Sequence, residues 1–147
     1  MPKNKDRLGK LRPRYRFALN PFPEVRWSRC PRCEQLTFNR KFPLLILVKG
    51  HAGLVLGKTC RYCAKCEFIV CHQHELEAEL EHAFRQRDPA AIGSEYHVAA
   101  VVERKVWARA QTEPLSSREM LDHAADIKSY YTLHDPRPRW MPADTPA

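Results

Sequence analysis

The feature that most constrains this chain is a pair of Cys-x-x-Cys turns, Cys30-Pro31-Arg32-Cys33 and Cys63-Ala64-Lys65-Cys66, with 29 residues between Cys33 and Cys63. The intervening stretch is long enough for a β hairpin, which brings the two turns side by side. Four thiolates gathered in this way enclose a borderline-soft ion without geometric preference of its own, and the expected occupant is Zn2+ in a closed, structural tetrahedral site.

The second pair is not unique. Cys60, Cys63 and Cys66 form two overlapping Cys-x-x-Cys units. The small Ala64 and flexible Lys65 favour Cys63 with Cys66, and the bulky Arg61 and Tyr62 disfavour Cys60 with Cys63. The three together also have the spacing of an iron–sulfur ligand series, completed by Cys71, Cys30 or Cys33, but the fourth cysteine lacks the following proline and Cys30/Cys33 would be left without a role. A redox role for Cys30/Cys33 fits less well, because that turn does not open a helix after a strand. Cys71, His72 and His74 are alternative ligands. In the plainer reading Cys71 is a buried thiol and the two histidines sit at the entry of a helix.

A chain of 147 residues with twelve Pro and five Gly supports only a modest core, so a staple is expected. Residues 1–10 are polar and charged, without the apolar stretch of a signal peptide, and the longest apolar run, 42–48, is far below the roughly 20 residues of a membrane-spanning helix. The expectation is a cytoplasmic protein with no membrane span, where reduced, closely paired cysteines serve metal rather than disulfides.

The organisation expected is a basic arm over 1–15, one α+β domain over 16–132 with a ribbon core at about 28–72, and a Pro-rich tail over 133–147. Alternation over 11–19, with Arg12, Arg14 and Arg16 opposite Tyr15, Phe17 and Leu19, predicts a strand. Strands follow over 36–42 and 44–48 with a break at Pro43, a turn over 50–53, a returning strand over 54–59 and a short one over 67–70. A helix is predicted over 72–87, since Leu76, Leu80, Ala83 and Phe84 share a face, with Glu75, Glu77, Glu79 and Glu81 early and Arg85 and Arg87 late. Residues 97–110 alternate as a strand. A second helix opens on a Ser116/Glu119 capping box and a Leu115/Met120 staple and carries Leu121, Ala124 and Ile127 to about 131. The fold class is therefore a zinc-ribbon β-hairpin with additional strands and two α-helices.

The net charge of +8 is unevenly placed. Residues 1–66 hold sixteen Lys and Arg against Asp6, Glu24 and Glu34. Lys3, Lys5, Arg7, Lys10, Arg12, Arg14 and Arg16 form an arm that attracts phosphate. Candidate nucleic-acid contacts are Lys10, Arg12, Arg14, Arg16, Arg26, Arg29, Arg32, Arg40 and Lys41. Tyr15, Phe17, Trp27 and Phe38 lie among them, either to stack on unpaired bases or to build the core.

The Cys30–Cys33 turn, the hairpin and the Cys63–Cys66 turn resemble the zinc-ribbon group over about 28–72. Residues 16–20, 58–66 and 73–80 also resemble a family of bacterial zinc-ribbon proteins. The resemblance implies a fold and no chemistry, since ribbons serve transcription, translation and complex assembly alike. The chain departs from the group in its third clustered cysteine and in having no glycine after either turn.

No His-Glu-x-x-His, Walker loop, dinucleotide-binding glycine turn or Gly-x-Ser-x-Gly elbow is present. His51, His82, His97, His123 and His134 are scattered. The reading is a non-enzymatic zinc protein that binds RNA or DNA, or a ribonucleoprotein, through its basic half. The alternative is a protein-binding adaptor that docks through the acidic helix at 75–81 or the tail around Trp140.

Overall fold

The computed structural model describes residues 7–113 and 115–134. Lys3, Lys5 and the tail around Trp140 therefore lie outside the described residues. The strands are β1 (Arg16–Asn20), β2 (Phe38–Val48), β3 (His51–Cys63), β4 (Phe68–His72), β5 (Tyr96–Val102), β6 (Ala124–Asp126) and β7 (Ser129–Thr132). The helices are α1 (Gln73–Arg87), α2 (Arg104–Ala110) and α3 (Ser117–Asp122), with a single 3-10 turn at Pro89–Ala91.

The strands form one mixed sheet in the order β6-β5-β2-β3-β4-β1-β7. Its centre is the hairpin β2–β3, antiparallel from Phe38↔Tyr62 to Val48↔His51. β2 runs through Pro43 without the expected break. Phe42, Leu44, Ile46 and Val48 keep the period of two across the proline, so the buried face is continuous. Pro43 pairs with Gly57, and a Cβ on Gly57 would stand 2.6 Å from Trp107 Cζ2. Glycine is needed there because the indole edge rests on the strand.

The sheet curls until its edges share one segment of chain. Only Ile127 and Lys128 separate β6 on one edge from β7 on the other. The Ile127 N–H donates to Ala99 on the β5 side, and the Lys128 N–H donates to Tyr15 on the β1 side. Residues 8–14 run beside β6, where Leu8 and Gly9 N–H groups donate to the Asp126 carboxylate and Leu11 bridges Ala125. The concave face is filled by Tyr15, Phe17, Phe42, Leu44, Ile46, Tyr62 and Ile69, and α1 lays Leu76, Leu80 and Phe84 across it.

Two further sequence expectations are corrected here. Residues 97–110 are not one strand: β5 leaves the sheet at Glu103, and α2 returns Val106 and Trp107 to the outer face over Ala100, Val102 and Ala124. The second predicted helix forms its capping box between Ser116 and Glu119 but stops at Asp122. Ala124–Asp126 then pairs with β5, since a free sheet edge satisfies more backbone groups than a further helical turn would. The result is an α+β fold with, among the described residues, three short-to-medium helices and a cysteine cluster embedded in a larger sheet, rather than a ribbon hairpin with two helices.

Candidate metal centre

The first knuckle lies in the connection from β1 to β2, and the second joins β3 to β4. Antiparallel pairing of β3 with β4 through Cys63↔Phe68 places Cys63 at the last rung, so the chain turns at once through Cys66. A short bridge between Arg29 and Leu36 closes the first turn in the same manner. The structure thereby gathers Cys30, Cys33, Cys63 and Cys66, with all four sulfurs within 4.8 Å of one another. Cys33 and Cys63 Sγ are 3.6 Å apart, and a tetrahedral zinc–thiolate centre with bonds of about 2.3 Å needs sulfurs about 3.8 Å apart. The donor set and its spacing fit Zn2+.

Both turns have one design. Residue Glu34 follows Cys33 with φ 65°, and Glu67 follows Cys66 with φ 51°. That left-handed step turns the chain out of each knuckle, where glycine is the usual occupant. Backbone N–H groups are aimed at sulfur: Arg32 N–H donates to Cys30 Sγ at 3.3 Å and Cys66 N–H to Cys63 Sγ at 3.5 Å. Charge is supplied from the side by Arg32, whose guanidinium lies 3.8 Å from Cys66 Sγ, while Arg16 donates to the Cys66 carbonyl.

The thiols are not equivalent. Burial pushes Cys30 up to about 12, with backbone N–H groups of Cys33 and Arg32 opposing it. Cys33 is brought down to about 7, chiefly by the Gln35 N–H on its sulfur. Beneath the cluster Ala18, Phe68, Val70 and Leu133 form an apolar floor, with Phe22 and Trp27 packed at its margin. Among the described residues the group consists of these four thiols alone, the donor set of a closed structural site.

The alternative ligands fall elsewhere. Cys60 and Cys71 belong to the concave core, on the other face of the sheet from Cys63 and Cys66, so the series Cys60, Cys63, Cys66 is not gathered. His72 caps α1, its Nδ1 accepting from Glu75 N–H at 3.2 Å, and His74 is exposed on the first turn.

The basic residues divide. Arg29 and Arg32 are exposed on the first knuckle. Arg14 pairs with Glu67 at 2.8 Å, Arg16 is tied to Cys66, and Arg40 lies over the rings of Phe42 and Tyr62. Lys10 pairs with Asp122, and Arg12 is exposed beside it in the chain's first segment. Arg26 borders a cavity near α1, and Lys41 stands over Trp107 on the opposite outer face. Among the aromatics, Tyr15 and Phe17 are core and Trp27 bonds Asn20, whereas Phe38 is 47% exposed. Sequence reasoning missed the exposed Lys65 on the second knuckle and the turn residues Glu34 and Glu67. The signal was available as a repeated Cys-x-x-Cys-Glu.

No helix among the described residues is long and apolar enough to cross a membrane. No family model, curated protein or solved structure matches the chain.

Proposed function

We propose that this chain is a zinc-stapled, non-enzymatic binding protein of zinc-ribbon type whose knuckle end engages RNA or DNA. The observation that supports this most is the convergence of Arg29 and Arg32 on one turn with Lys65 on the other, all exposed around the cysteine cluster. Leu36 and Phe38 are exposed on the chain leaving the first knuckle, 69% and 47% respectively. Exposed cations neutralise phosphates, and the exposed ring offers a face on which an unpaired base stacks. Zinc serves by fixing the two turns relative to each other.

The test is fluorescence anisotropy with single-stranded and duplex RNA and DNA at about 50 and 200 mM salt. Affinity falls with salt, and Arg29→Glu with Lys65→Glu weakens binding by about tenfold or more while zinc content is unchanged. The slope against salt also flattens by about 1.4 for single strands, two phosphate contacts having been removed.

Exposed Leu36 gives the competing reading, a protein adaptor, its one specific support. The acidic face of α1 lends it little, because Glu75 and Glu79 hold Lys58, Glu77 accepts from Tyr96, and Glu81 pairs with Arg85. No nucleic-acid binding at low salt, with a protein partner recovered after nuclease treatment, decides for the adaptor.

A further inference from the structure

β3 is much longer than the strand on its outer side. β4 pairs with Arg61, Tyr62 and Cys63 alone and then leads into α1, whereas β2 follows β3 back to His51. Among the described residues, no main-chain group of residues 51–60 bonds main chain on the β4 side. Alternate residues of a strand turn both N–H and C=O to the same side, so about half of this stretch presents backbone groups to an empty edge.

Open edges are normally blunted by charge or proline. Residues 52–57 read Ala-Gly-Leu-Val-Leu-Gly and contain neither. Lys58 is the one Lys, Arg, Asp or Glu between 51 and 60, and it is buried on the concave side with Glu75 and Glu79. Ala52, Gly53 and Thr59 are exposed, so solvent reaches both ends of the edge.

α1 runs alongside in the opposite direction. Glu75 and Glu79 meet Lys58 late in β3, and Asp88, just past the last helical turn, bonds His51 at its start. The acidic half of α1 therefore lies by one end of the open edge, and Arg85 and Arg87 lie by the other. Arg85 is taken by Glu81, but Arg87 forms no ion pair among the described residues and borders a cavity of about 580 Å³ with Gly53, Leu54 and Val55.

We propose that two copies of this chain pair through this edge, β3 against β3 in antiparallel register about a two-fold axis near Val55, so that one sheet runs through both. Such pairing is self-complementary, and the axis stands perpendicular to the sheet. The two α1 helices then lie antiparallel on the same side of the joined sheet, with Arg87 of each copy facing Glu75 and Glu79 of the other. That reversal is what selects a second copy over an unrelated strand, because the acid-to-base order of α1 complements itself only when turned around. The uncharged centre brings no like charges into opposition. The knuckles lie beyond the far end of β3, so assembly leaves them free and does not depend on their binding nucleic acid.

Sedimentation of the zinc-loaded full chain across the micromolar range, with hydrogen exchange at both ends of that range, tests the pairing. Expected is a reversible dimer in which alternate amides of residues 52–59 exchange more slowly at high concentration and recover on dilution. Ala52→Lys combined with Thr59→Lys, both at exposed positions, gives a monomer that retains zinc. Arg87→Glu raises the dissociation constant by about tenfold, since like charges then face each other. The wild-type exchange pattern decides the matter even if a variant folds poorly. A monomer at every concentration, a dimer that the double variant leaves intact, or protection of residues 52–59 that is the same at all concentrations overturns the proposal.

Discussion

Glu34 and Glu67 occupy equivalent places in two separate turns: each follows the second cysteine of its knuckle, and each holds the left-handed backbone that L-residues avoid. The cost is about 1 kcal/mol for each. The two glutamates differ in what they return, because Glu67 accepts from Arg14 at 2.8 Å and the Glu34 carboxylate has no such ion pair among the described residues. Glu34→Gly is therefore expected to stabilise the zinc-loaded protein by about 1 kcal/mol. Glu67→Gly gains less, by the few tenths of a kcal/mol that a half-exposed ion pair contributes. Denaturant midpoints for the two variants measure the difference; a destabilised Glu34→Gly would show that the turn is not under backbone strain.

Removal of single cysteines separates the metal site from the core pair. Cys30→Ser and Cys33→Ser are expected to lose zinc and to unfold the knuckle end, since a structural metal's binding energy is folding energy. Cys71→Ser is expected to keep zinc with a loss of about 1–2 kcal/mol from a perturbed core. Elemental analysis after gel filtration checks this, and metal retained by both of the first two variants refutes the assignment. Acidification also releases zinc, because protons compete for the same thiolates. The competition is strong at Cys30, whose thiol burial pushes up to about 12.

Lys58 is 4% exposed in the concave core and is held by Glu75 at 3.1 Å and Glu79 at 3.7 Å. Burial is the largest single influence and lowers the Lys58 pKa, but the Glu75 hydrogen bond together with Cys71, Cys60 and Glu79 outweighs it and leaves the group raised. Glu75 is lowered, first by Lys58. A lowered carboxylate stabilises the fold above its ordinary value of 4.5, and that contribution disappears as pH falls through the folded value. The raised ammonium contributes below 10.5 and loses its share as pH rises through the folded value. Glu75→Gln is expected to cost about 1 kcal/mol at pH 7 and nothing below the carboxylate range, with Glu79 still pairing the ammonium. Lys58→Met is expected to be nearly neutral, because an apolar chain replaces a buried charge. Thermal melts from pH 3 to pH 9 carry the test, and a pH-independent Glu75→Gln penalty would sink it.

The metal cluster was legible because spacing alone restricts how four thiols can meet, and the central hairpin was legible because Phe42, Leu44, Ile46 and Val48 alternate. Pro43 misled, since a proline breaks a strand only where its missing N–H would have been bonded. The stripe Leu121, Ala124, Ile127 fits a helix by period, yet Ala124 to Asp126 pairs with β5. Local periodicity carries no information about a distant unpaired edge. Val106 and Trp107 extend an alternating run in the same deceptive way until the outer face of the sheet claims them as a helix. Nothing in the sequence indicated that Lys58 would be buried, because its partners lie on a helix whose docking depends on the completed sheet.

The shared edge of the sheet also dictates an order of events during synthesis. β1 is seated between β4 and β7, so Arg16 finds neither Phe68 nor Ser129 until long after it has left the ribosome. The hairpin and the two knuckles form from nearer contacts and can assemble first, which makes zinc capture an early step and closure a late one. Until residues 68–72 emerge, the nascent chain carries a basic, partly apolar strand with no place to pair, and its other edge stays open until residues 129–132 follow. An unpaired strand edge of that kind is the surface through which a partly made chain associates with its neighbours, so late closure is also the step that ends that exposure.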